Sequence, residues 1–84
     1  MPSPKQSQKK GVQAIERGCS ILDLLGIGKQ TYSILELASE LELPKPTVHK
    51  KLTTFCRLGY VIQDEISKEY RLGLQVLELG KALY

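Results

Sequence analysis

The residues best placed to do chemistry lie in one stretch, residues 45–57, "KPTVHKKLTTFCR". It carries Lys45, Lys50, Lys51 and Arg57 and no acid, while residues 36–42 just before it carry Glu36, Glu40 and Glu42 and no base. Flexible cations, interleaved with the short hydroxyl donors Thr47, Thr53 and Thr54, form a surface suited to an anionic polymer rather than to a reaction. At helical periodicity Pro46, Lys50, Thr53 and Arg57 share one face, with Thr47 and Thr54 on one flank and His49 on the other. Val48, Leu52, Phe55, Cys56 and Gly59 make the opposite, apolar face. Lys51 sits at the boundary, where its methylene stem can pack while the ammonium stays wet.

Other chemistries lack their parts. His49 has no second ligand at metal spacing on its face, and two cysteines without a metal-ligand spacing make neither a zinc site nor a disulfide scaffold. Cys19 and Cys56 both fall on apolar stripes and are expected as reduced core thiols. There is no nucleophile–base set, paired-carboxylate pocket or glycine-rich phosphate loop, so no enzymatic activity, cofactor or metal is expected. No apolar run is long enough to span a bilayer, and the cationic N-terminus lacks the apolar core of a secretory signal; a cytoplasmic, nucleoid-associated protein without a membrane partner is expected.

The elements that must position this face follow from local signals. Eighty-four residues make one small domain. The net charge of +3 equals the contribution of Lys5, Lys9 and Lys10, which lie in a Pro/Ser/Gln-rich segment, residues 1–11, expected as a disordered basic arm. A first helix is predicted over 12–27, facing inward through Val12, Ile15, Cys19, Leu22 and Gly26, with Ile21, Leu24 and Leu25 widening the apolar surface. So much apolar surface on one helix predicts a homodimer contact through it.

Ser33 and Glu36 form a capping box that opens a second helix over 33–41, with Ile34, Leu37, Ala38 and Leu41 inward. Pro44 and Pro46 then start a third helix rather than break one. A proline in the first turn forfeits no helical hydrogen bond and already has helical φ, which places Lys45 at the N-cap and Pro46 first in a helix running to about 58. "YVIQD" and "EYRLG" read as a hairpin with a longer or bulged connection around 65–68, and 74–84 as a final amphipathic helix.

Two helices, a tight turn, a basic helix and a hairpin, in that order, predict a mainly α winged helix-turn-helix, with the basic helix in the major groove of double-stranded DNA. The segments "VQAIERGCSILDLL", "YSILELASELELPKPTVHKKLTTFCRLGYVIQD" and "YRLGLQVLELG" resemble the N-terminal DNA-binding domain of the IclR family of bacterial transcriptional regulators. The resemblance implies a dimeric, sequence-specific regulator in which the helix at 45–58 reads an operator. It also implies a small-molecule effector, held by a C-terminal domain that would lie beyond Tyr84. The expected DNA-contacting residues are Lys45, Pro46, Thr47, His49, Lys50, Thr53, Thr54 and Arg57, with Lys68 on the wing. Three features depart from the family pattern: Glu42 where a turn glycine is usual, Pro46 where a serine is usual, and a net acidic wing containing Asp64, Glu65 and Glu69. These departures suit an alternative class, a winged-helix module that docks on protein.

Overall fold

The computed structural model describes the backbone of residues 2–83 and the side chains of residues 10–83. Four helices and a hairpin follow in order: α1 (Pro2–Ile27), α2 (Ile34–Leu41), α3 (Lys45–Leu58), β1 (Val61–Gln63), β2 (Tyr70–Leu72) and α4 (Leu74–Gly80), then a 3₁₀ turn over Lys81–Leu83. The helix of the first segment thus starts at Pro2 rather than near residue 12. Pro2 and Pro4 fall in its first turn, where no intrahelical N–H is required. The Lys5 and Lys9 side chains of the expected arm lie outside the described residues. Among those described, no helix is long and apolar enough to cross a membrane.

α2 forms as its sequence predicts. Ser33 accepts from the Glu36 N–H at 3.1 Å while Glu36 accepts from the Ser33 N–H at 2.9 Å, so two of the free donors at the helix start are satisfied. The Glu36 carboxylate also binds the Lys29 ammonium, and that contact, followed by the Ser33 N–H, holds its pKa below the usual 4.5. Both partners are exposed, so the pair fixes geometry more than it adds stability.

α2 and α3 are joined by a Schellman motif. The Leu43 N–H donates to the Ala38 carbonyl at 3.0 Å and the Glu42 N–H to the Ser39 carbonyl at 3.2 Å, which requires Glu42 to be left-handed (φ 54°, ψ 46°). The same motif ends α3, with Tyr60 donating to Phe55 at 2.9 Å and Gly59 to Cys56 at 3.2 Å. There the left-handed residue is Gly59 (φ 89°), which lacks the Cβ that makes this conformation costly.

One boundary differs from expectation. Pro44, not Lys45, is the N-cap of α3: its backbone is extended and its carbonyl accepts from both Thr47, at 3.0 Å, and Val48, at 3.2 Å. Those two bonds draw Lys45 into the helix and place Pro46 in its second position, where a missing N–H still costs nothing.

The core is Ile21, Leu25, Tyr32, Leu37, Val48, Leu52, Val61 and Tyr70. It corrects the expected inward face of α1: Gly18, Ile21 and Leu25 are buried, whereas Val12, Ile15, Cys19 and Gly26 are exposed and Leu22 is half-buried. Both stripes satisfy helical periodicity, and contact with the rest of the fold selects the one centred on Ile21. Cys19 is accordingly a surface thiol, not a core one, and only Cys56 is half-buried, with its pKa raised by that burial.

The antiparallel hairpin pairs Val61 with Leu72, Ile62 with Arg71 and Gln63 with Tyr70. An isolated bridge adds Tyr32 to β2, through Tyr32 N–H to the Tyr70 carbonyl at 3.0 Å and Tyr70 N–H to the Tyr32 carbonyl at 2.7 Å. α4 buries no residue, and Leu74, Leu77 and Leu79 are exposed.

Glu42→Gly relieves the left-handed strain while keeping both Schellman bonds. It is expected to stabilise the domain by about 1 kcal/mol in urea unfolding.

Candidate nucleic-acid interface

Every residue of the expected α3 surface except Thr47 is exposed: Lys45, Pro46, His49, Lys50, Thr53, Thr54 and Arg57. Thr47 is half-buried at the edge of the face. The opposite side is anchored by Val48 and Leu52, both at 0% exposure, with Phe55 and Cys56 packed beside them. One buried stripe therefore fixes the rotation of the helix about its axis and with it the direction of the cationic face. Removing either anchor costs on the order of 2–5 kcal/mol for a buried leucine and less for valine.

The cations of this face are unspent. The two ion pairs among the described residues are Lys29–Glu36 and Lys81–Glu78, and neither involves α3. The Thr54 hydroxyl donates to the Lys50 carbonyl at 3.1 Å, which leaves its lone pairs, but not its proton, for another partner. Arg57 lies in the last turn, where its charge opposes the negative end of the helix dipole. His49 is exposed, and no group of three or more His, Cys, Asp or Glu able to hold a metal occurs among the described residues.

Lys68 lies on the hairpin connection rather than on α3, and its backbone is left-handed (φ 66°). The connection is closed by Lys68 N–H to the Asp64 carbonyl at 2.9 Å and Asp64 N–H to the Glu69 carbonyl at 2.8 Å. The Asp64 carboxylate accepts from the backbone N–H groups of Ser67, at 2.7 Å, and Ile66, at 3.0 Å. The Ser67 N–H, then the Ser67 hydroxyl and the Ile66 N–H, hold its pKa below the usual 3.8. One of the wing's three acids is thus occupied in shaping the turn that carries Lys68.

Two features were not read from the sequence. The Tyr32–Tyr70 bridge joins residues far apart in the chain; its one local trace is the β-prone pair Thr31-Tyr32 before the capping serine. The second is a groove between α1 and α3 lined by Gly18, Leu22, Lys50, Lys51 and Phe55, among others.

Over this framework the sequence matches the model of the IclR helix-turn-helix domain at residues 14–65. The chain belongs to the IclR helix-turn-helix family. It is 38% identical over 71 residues to the glycerol operon regulatory protein of Streptomyces coelicolor, an alignment covering 84% of this chain and 28% of that protein. It is also 38% identical over 77 residues to the HTH-type transcriptional regulator KdgR of Dickeya chrysanthemi, covering 90% of this chain and 25% of that one. Among solved structures, an IclR family transcriptional regulator from Brucella abortus superposes with a TM-score of 0.76 at 38% identity, over 83% of this chain and 27% of the other. The 84 residues span between a quarter and three tenths of the length of these relatives. The fold is therefore the winged helix-turn-helix of IclR regulators, with α2 and α3 as the helix pair and β1–β2 as the wing.

Because the folded-state pKa of Asp64 is lowered, its ionised form stabilises the wing turn above about pH 3.8, and that contribution is lost as pH falls through the folded value. The amide signals of Ile66 and Ser67 are expected to move together in an NMR titration below pH 3.8, and Asp64→Ala to abolish that movement.

Proposed function

We propose that this chain binds double-stranded DNA in a sequence-specific manner as the DNA-reading part of a transcriptional regulator, with α3 in the major groove. The observation that carries this reading is the acid-free face of Lys45, Lys50, Thr53 and Arg57, free of ion pairs among the described residues and aimed by the buried Val48–Leu52 stripe. The N-terminal half of such a helix meets base edges, which assigns Lys45, Pro46, Thr47, His49 and Lys50 to the groove floor and its rim. Thr53, Thr54 and Arg57, further along, lie at the depth of the phosphate backbone. Pro46 offers van der Waals contact but no hydrogen bond, so Thr47 and Lys50 carry more of the recognition. Lys68 on the wing is the cation available for a second backbone contact.

The printed names of the Streptomyces coelicolor and Dickeya chrysanthemi relatives, an operon regulatory protein and a transcriptional regulator, favour the same reading. A bacterial-type cytoplasmic setting at the nucleoid follows from it. A homodimer through residues 12–27 of α1 is part of the proposal, supported by the exposed Val12 (51%), Ile15 (68%) and Ile27 (86%). Dimeric helix-turn-helix proteins read two half-sites about one helical turn apart. A small organic effector would belong to sequence beyond Tyr84.

Duplexes selected from a random-sequence pool should bind with affinity that falls steeply with salt. Lys50→Ala is expected to weaken the selected duplex roughly tenfold, or on the order of 1–2 kcal/mol, with Thr47→Ala costing less. A loss uniform across sequences with a shallower salt slope marks a phosphate contact, and relaxed preference at one base pair marks a base contact. If both variants bind like the wild type, the assigned face is wrong. Sedimentation at high micromolar concentration is expected to show a dimer, and a monomer there removes the α1 contact from the proposal.

A further inference from the structure

The end of α3 and the start of α4 meet backbone to backbone. Gly59, left-handed at φ 89°, ends α3, and the N–H groups of Gly59 and Tyr60 donate back to Cys56 and Phe55. Gly73, the extended N-cap of α4 (φ −99°, ψ 176°), is buried against that end. The Gly73 N–H donates to the Tyr60 carbonyl at 2.8 Å, and the Gln75 N–H to the Gly59 carbonyl at 3.1 Å. A Cβ on Gly73 would fall well inside 3.0 Å of the Gly59 oxygen and stand 3.2 Å from the Gly59 carbonyl carbon. Side chains contribute little to this seating: α4 buries none, and of its residues only Gln75, Val76 and Gly80 are half-buried.

We propose that Gly73 is a positioning residue for α3: its missing Cβ seats the N-cap of α4 on the C-cap carbonyl of α3, so that the two helices turn as one rigid body. At φ −99° an L-residue meets no backbone strain, so the requirement for glycine is one of space. The Gly59 carbonyl cannot yield alone. It belongs to the residue that closes α3, and Tyr60 beside it is held twice, through its N–H to Phe55 and its carbonyl to Gly73. The Tyr60 ring also stands edge-on to Phe55, with centroids 6.2 Å apart at 85°. Phe55 in turn packs against the core that holds Val48 and Leu52. A displacement at Gly73 therefore passes through Gly59 and Tyr60 into the helix whose face that core aims. Its effect on DNA recognition rests on the DNA-binding reading; the rigid joint does not. Gly73 lies outside the face assigned to DNA and outside residues 12–27 of α1.

The test uses the 84-residue chain and its amide residual dipolar couplings in a weakly aligning medium. In the wild type the couplings of α4 should fit the alignment frame of α3. Gly73→Ala should turn α4 out of that frame and shift the amide signals of Phe55, Cys56 and Tyr60. Gln75→Pro removes the second bond at a helix position that needs no intrahelical N–H, and should loosen the same joint. It carries every arm of the test if Gly73→Ala does not fold. Leu77→Ala, at an exposed position on α4, should leave the frame and the signals unchanged. On a duplex selected from a random-sequence pool, Gly73→Ala should lose roughly tenfold in affinity. Affinity for a scrambled duplex and the salt slope should hold, because orientation and not charge has changed. A variant that is merely less stable loses both affinities alike. Two alignment frames in the wild type, or one frame kept in both variants, overturns the rigid joint. An equal loss on both duplexes, or no loss, overturns the positioning role. A wild type that binds no duplex sinks the DNA-binding reading and that role with it, and the couplings alone then decide the joint.

Discussion

The angle between α2 and α3 is set at a single residue. Glu42 must be left-handed for Leu43 and itself to reach back to Ala38 and Ser39, and only then does Pro44 begin α3 with Val48 and Leu52 pointing inward. The chain accepts this at a non-glycine residue because the bonds and the burial downstream outweigh it. A left-handed L-residue costs on the order of 1–2 kcal/mol, while the two buried side chains that the turn delivers contribute roughly 1.5–3 kcal/mol each. Release of the turn would reorient α3, and its cationic face with it, relative to α2.

The prolines complete that constraint. Pro44 holds an extended backbone at φ −61°, ψ 143° and provides the carbonyl that receives the first helical bonds. Pro46 brings its own helical φ and omits a donor where none is used. Between them the start of the recognition helix is rigid without a side-chain cap. Its cost is chemical: the second position of the helix has no hydroxyl and no N–H to give to any partner.

How much of this was legible depended on distance along the chain. The capping box, the first-turn prolines, the Gly59 stop and the hairpin rest on residues within a few positions of each other, and all formed where their local chemistry put them. The N-cap of α3 moved by one residue because two hydrogen bonds to Pro44 outweigh the bias against α geometry before a proline. The inward face of α1 differs from expectation because Val12–Ile15–Cys19 and Gly18–Ile21–Leu25 are both apolar at helical spacing, and the choice between them is made by α2 and β2, with Phe55 of α3 against Gly18, not by α1 itself. The basic face was fully visible in the sequence; the groove beside it was not, because it needs Gly18 and Phe55 to meet across 37 residues.

The bridge between Tyr32 and Tyr70 has a bearing on solubility. Strands of three residues form a weak ladder, and a bare strand edge is a template for pairing with other chains. Tyr32 occupies the outer edge of β2 with one donor and one acceptor. That leaves β1 as the open side, and there the alternation gives way to Gln63 and then to the charged Asp64 and Glu65. The wing can thus stay short and exposed without recruiting stray strands.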